Sequence, residues 1–206
     1  MNGPAADIDV DLGGTCRVAI MMHGHQAAKL AAVVGRFREL EAEWAEQEIT
    51  RLVKDRQLEG QDARRIAAAS AVALRPKLWP TQDIVLEQLI RARLTQPDVA
   101  DLQGPLADPQ EEKMLRLPGK RPGSATRRFS TEVGATLPVE LVVAGRRAAW
   151  RLSGGAESEL RTLLAQRRNP EARMTQWAYR TVRKALVARI VTWADLVRDA
   201  IDRFEV

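Results

Sequence analysis

Residues able to do chemistry gather at three places in this chain. His23 and His25 flank Gly24, with Cys16 upstream. Two imidazoles at i, i+2 and one thiol are metal-ligand types, but a closed zinc site needs about four ligands. The trio therefore reads as a polar strand-to-helix joint, with no metal and no cofactor expected. The second place is Gly119–Arg128, GKRPGSATRR, where Lys120, Arg121, Arg127 and Arg128 stand in a Gly/Pro/Ser setting with no apolar anchor before Phe129. Such a segment cannot bury apolar surface, and its cations suit an arm that orders on phosphate. The third is Asn169–Ile190, NPEARMTQWAYRTVRKALVARI. At about 100° per residue, Met174, Ala178, Val182, Ala185 and Leu186 gather on one side of a helix, and Arg173, Trp177, Arg180 and Lys184 on the other. Guanidinium groups grip phosphate in bidentate fashion, and an indole can stack on a base.

Catalysis has less to draw on. The carboxylates fall mostly on expected helix surfaces or caps, and no nucleophile has a base at a telling spacing, so no catalytic residue is assigned. GKRPGS lacks the register of a phosphate-binding Walker loop. Asp11–Thr15, DLGGT, resembles the first phosphate loop of sugar kinases of the actin-like ATPase superfamily, which implies a strand–turn–strand laid against nucleotide phosphates. The resemblance covers about eight residues including Arg17. The superfamily's further strands, catalytic Asp and second glycine-rich loop have no counterpart here.

Several elements must position these groups. Ile8–Met22 reads as a hairpin about Gly13-Gly14. Gln26–Leu58 is a long helix with Leu30, Val33, Phe37, Leu40 and Trp44 at 3,4 spacing and Arg36, Glu39, Glu43 and Glu46 opposite. Asp62–Leu74 is an Ala-rich helix stopped by Arg75-Pro76. Thr81 caps a helix to Leu94. The stretch from Leu74 to Thr81 is too long for a helix-turn-helix, whose turn takes three or four residues. Leu137–Leu152, LPVELVVAGRRAAWRL, alternates as a second hairpin turning at Ala144-Gly145. Arg146 then lies at its turn, with Arg147 and Arg151 on one face. A helix from Ala156 to Arg168 follows, then the Asn169–Ile190 helix capped by Asn169-Pro170. A last helix, Trp193–Phe204, has Thr192 and Asp195 in capping-box positions.

The expected fold is α+β, predominantly helical, with two β-hairpins each followed by helices. Three regions are expected: 1–96, a 97–128 linker with a short helix and basic loop, and a basic 129–206. The net charge of +5 is unevenly spread, −3 over residues 1–60 and +6 over 145–206. Of 32 basic residues 26 are Arg, which favours phosphate contacts but also fits the Arg enrichment of a GC-rich prokaryotic genome. Cys16 is the only cysteine, so no internal disulfide forms, and with neither a signal peptide nor a membrane span in view a cytoplasmic protein is expected. The function expected is non-catalytic binding of DNA or RNA backbone through the basic C-terminal half, with little sequence specificity. The alternative is a structural subunit of a homo-oligomer or larger assembly, acidic faces docking on basic ones.

Overall fold

Thr15–Met22 (β1) alternates small, polar and apolar residues, and Thr131–Pro138 (β2) does the same. Extended chains of period two place alternate side chains on one face. Here Ile20, Met22, Ala135 and Leu137 turn inward and are buried. The two strands pair antiparallel, Thr15 opposite Pro138 and Met22 opposite Thr131, as a two-stranded sheet. The computed structural model describes residues 13–55, 61–108, 110, 129–168 and 174–205. Gly13-Gly14 is a turn leading into β1, but the strand's partner is β2, more than a hundred residues away. The other half of the first expected hairpin lies outside the described residues.

Each strand runs directly into a helix. Gly24–Asp55 (α1) follows β1, and Val139–Leu152 (α4) follows β2. The second expected hairpin is therefore a correction: Leu137 and Pro138 end a strand, and the rest is helix. Leu141, Val142, Gly145, Ala148 and Ala149, all buried, recur at i, i+1, i+4, i+7 and i+8 and satisfy a 3.6 period. The β-branched run suggested a strand, and tertiary packing overrode it. Between them come Gln61–Leu78 (α2) and Gln82–Leu94 (α3). α2 continues two residues past Pro76. Proline removes one helical hydrogen bond there, and the helix ends within the same turn.

The C-terminal part is Ala156–Arg168 (α5), Gln176–Arg189 (α6) and Trp193–Arg203 (α7). The main core joins β1, β2, the first half of α1, α3, α4 and α7, with Leu86, Val99, Leu137, Ala148 and Val197 wholly buried. A second, smaller core lies between α5 and α6: Ala156, Leu160, Leu163, Tyr179 and Leu186. Gly154 (φ 52°) and Gly155 (φ 81°) take left-handed conformations in the turn from α4 to α5, where a Cβ would be strained. Ser153, buried beside them, donates to the Ala149 carbonyl (2.9 Å) and accepts from the Val191 N–H (3.0 Å), tying the two ends of the α5–α6 hairpin.

Helix starts follow local chemistry. The Thr81 hydroxyl accepts from the Ile84 N–H at 3.5 Å. Thr192 accepts from the Asp195 N–H at 3.2 Å while the Asp195 carboxylate takes the Thr192 N–H at 2.7 Å, a reciprocal capping box. Thr192→Ala is expected to cost about 1 kcal/mol. It should lower the midpoint of thermal unfolding, followed by circular dichroism, more than Thr81→Ala does. An equal or smaller loss at Thr192 would mean that the box does not hold α7. Among the described residues no helix is long and apolar enough to cross a membrane.

Candidate nucleic-acid interface

The expected basic surface draws on three segments, and the structure treats them differently. Lys120, Arg121, Arg127, Arg128 and Arg173 lie outside the described residues. Arg146, Arg147 and Arg151 are on α4, a helix, so they form no hairpin face. Arg151 donates to the carbonyls of Leu102 (2.6 Å), Gly104 (2.7 Å) and Pro105 (2.7 Å). Arg147 donates to the Gln103 carbonyl at 3.5 Å. One turn apart on α4, they clamp the loop that follows α3. Arg146 is half-buried, and burial pushes its guanidinium below the usual range. An arginine whose hydrogens are already given to carbonyls has few left for phosphate.

Trp177, Arg180 and Lys184, three of the four residues of the expected stripe, are on α6 and exposed. Thr175 caps the helix by accepting from the Ala178 N–H at 3.2 Å, so α6 starts well after the expected Asn169-Pro170 cap, which lies outside the described residues. The buried side also differs from the expected one. Tyr179 (7% exposed) and Leu186 (6%) face α5, whereas Met174 (45%) and Val182 (41%) are exposed. The reason is rotational: α5 offers Leu160 and Leu163 to one particular stripe of α6, and helical periodicity alone does not say which stripe finds a partner. Arg167 stacks over the Tyr179 ring at 4.2 Å and covers the edge of this small core.

What remains outward is a face with Trp177 at 77% exposure. Arg180, Thr181 and Lys184 follow it one and two turns along, over about 10 Å of helix rise. Arg183, absent from the expected stripe, is exposed as well. Arg180, Arg183 and Lys184 make no ion pair with any other described residue. The helix carries four basic residues and no acidic one, so nothing along it competes for those cations.

The histidine joint begins α1. The His23 carbonyl starts α1 by accepting from the Gln26 and Ala27 N–H groups, and the His23 N–H donates to Gln26 Oε1. Gln26 in turn donates to Asp202 on α7 at 2.7 Å, and His25 lies 3.6 Å from the same residue. The His23 ring packs edge-on against Phe129, on which the Arg198 guanidinium stacks at 3.7 Å. Cys16 sits at the far end of β1, roughly 20 Å away at the rise of a strand. No group of three His, Cys, Asp or Glu among the described residues could hold a metal ion. Asp11, in the kinase-like loop, lies outside the described residues.

The α2–α3 connection, residues 79–81, is three residues long, shorter than the sequence suggested and of helix-turn-helix length. The helix after it is no reading head. Its first two turns carry Asp83 and Glu87 but no basic residue, and Val85, Leu86, Ile90 and Leu94 bury it in the core. Comparison of the chain with protein-family models, curated proteins and solved structures finds no match.

Proposed function

We propose that this is a non-catalytic nucleic-acid-binding protein that contacts the phosphate backbone of DNA or RNA through the outward face of α6. The carrying observation is the 77% exposed Trp177 beside Arg180, Arg183 and Lys184, on a helix without one carboxylate. An indole left in water at that fraction, with three exposed cations beside it, suits stacking on an unpaired base while the cations hold phosphates. The basic stretch at 119–128 can add phosphate contacts. Arg147 and Arg151 are left out of the interface, because they donate to the carbonyls of the loop after α3.

The test is fluorescence anisotropy with labelled single-stranded and duplex oligonucleotides at several salt concentrations. Arg180→Ala/Arg183→Ala/Lys184→Ala should flatten the dependence of log affinity on log salt by about 2 to 3, at about 0.7 to 0.9 per phosphate contact. Trp177→Ala should weaken single-strand binding by about 1–3 kcal/mol and leave duplex binding nearly unchanged. A folded triple variant with the wild-type salt slope removes α6 from the interface.

The second reading, a subunit of a larger assembly, has its own observation. Among the described residues, six of the seven exposed large hydrophobics fall in two groups: Leu40, Ile66 and Val72 on α1 and α2, and Met174, Trp177 and Val182 beside or on α6. A chain that ignores both DNA and RNA yet enters larger complexes would favour it.

A further inference from the structure

α1 and α2 form a helical hairpin of uneven burial. In the first half of α1, Leu30, Val33 and Val34 are 2–7% exposed and belong to the main core. From Leu40 onward no described side chain of α1 or α2 is buried. There the two helices pack on each other, with Trp44 and Trp79 6.4 Å apart near the base. The solvent side of α2 bears Ile66 (49% exposed), Ala69, Val72 (68%) and Ala73, where a lone surface helix would carry polar residues. A row of exposed apolar side chains rimmed by charge is the mark of an interaction site.

Charge says what that is. Residues 39–55 of α1 sum to −4, and α2 sums to +3. Within the chain the two helices are already matched, Arg64 lying 3.9 Å from Glu46. The same pairing repeated between two chains is self-complementary, as a two-fold contact must be. The other exposed apolar face, on α6, is basic and would repel α2. Ala69 and Ala73 let a second helix approach to about 8 Å.

We infer that the α1–α2 hairpin is a homodimer interface, in which Ile66, Ala69, Val72 and Ala73 of one copy lie against the acidic outer half of α1 of a second copy. Two hairpins then make a four-helix bundle that buries what each leaves open. The inference goes beyond the α6 reading and does not rest on it, since the two surfaces share no residue.

Sedimentation equilibrium of the full chain, freed of nucleic acid by nuclease and a high-salt wash, tests it. The wild type should give twice the 22.9 kDa chain mass. Ile66→Glu/Val72→Glu should raise the dissociation constant by at least about 100-fold, with helicity by circular dichroism unchanged because both positions are exposed. Arg65→Glu, a milder surface change, should weaken the dimer by about tenfold and carries the test should the double variant lose helicity. A wild type that stays monomeric, a dimer that survives in both variants, or growth beyond two copies each overturns the inference. Oligonucleotide affinity per chain, measured on the same variants, keeps a failure here separate from a failure of the α6 interface.

Discussion

Arg93→Met is expected to lower the unfolding free energy by about 3 kcal/mol, the low end of what breaking a buried ion pair costs. The Arg93 side chain is only 5% exposed. Its Nη1 and Nη2 grip both oxygens of Asp98 at 2.9 and 2.8 Å, and its Nε donates to Asp199 at 2.5 Å. One guanidinium thus joins the end of α3, the loop after it and α7. Methionine keeps much of the volume but leaves Asp98 without its two-pronged partner, and Asp199 with Arg203 alone, at 2.9 Å, as its countercharge. Both are partly exposed, Asp98 at 53% and Asp199 at 36%, so water recovers part of the loss.

The same pair sets an acid limit. The hydrogen bonds from Arg93 hold the Asp98 carboxyl below its ordinary value. A depressed folded-state pKa stabilises above the unfolded-state pKa, about 3.9 for Asp, and that stability is lost as pH falls through the folded value. Urea midpoints measured from pH 7 downward should fall below about pH 4 in the wild type and fall less steeply in Arg93→Met. An identical acid limb in both would show that the pair does not set it.

Gly145→Ala should be destabilising by about 2–3 kcal/mol, as overpacking of a filled core is. The direction is the informative part. In an open helix the same change gains about 1 kcal/mol. At this position a Cβ would lie 1.9 Å from Cζ3 and 2.3 Å from Cε3 of Trp193, so α4 meets α7 with the indole against bare backbone. Thermal unfolding of Gly145→Ala, Trp193→Leu and the double variant should show the alanine tolerated far better once the indole is gone, a coupling of the kind neighbouring residues show. A Gly145→Ala protein more stable than wild type would mean that the indole does not pack there.

Gly145 and its neighbours on α4 show where the sequence misleads. Gly145 beside Ala144 looks like a hairpin turn, and Val139, Leu141 and Val143 look like a strand. Both readings are local, whereas the reason for the glycine is Trp193, far along the chain. Arg147 and Arg151 look like a charged sheet face because their carbonyl partners, residues 102–105, are invisible until α4 is a helix. By contrast Thr81, and Thr192 with Asp195, are legible at once, because a cap is satisfied within three residues. The Trp177, Arg180, Lys184 stripe lies between these cases: its helical spacing is local, but its exposure depends on which side α5 covers.

By itself the sequence determined the helix-rich character, the caps at Thr81 and Thr192, the approximate stretch of α1, and the gathering of cations with one tryptophan on a single helix. Those properties follow from interactions spanning a few residues, where spacing and side-chain type suffice. Only the tertiary structure decided that β1 pairs with β2, that Val139–Leu152 is helical, that Arg147 and Arg151 serve a loop, and that Met174 and Val182 face outward. Each is a choice among partners distant in the chain, settled by packing and hydrogen-bond satisfaction rather than by local pattern.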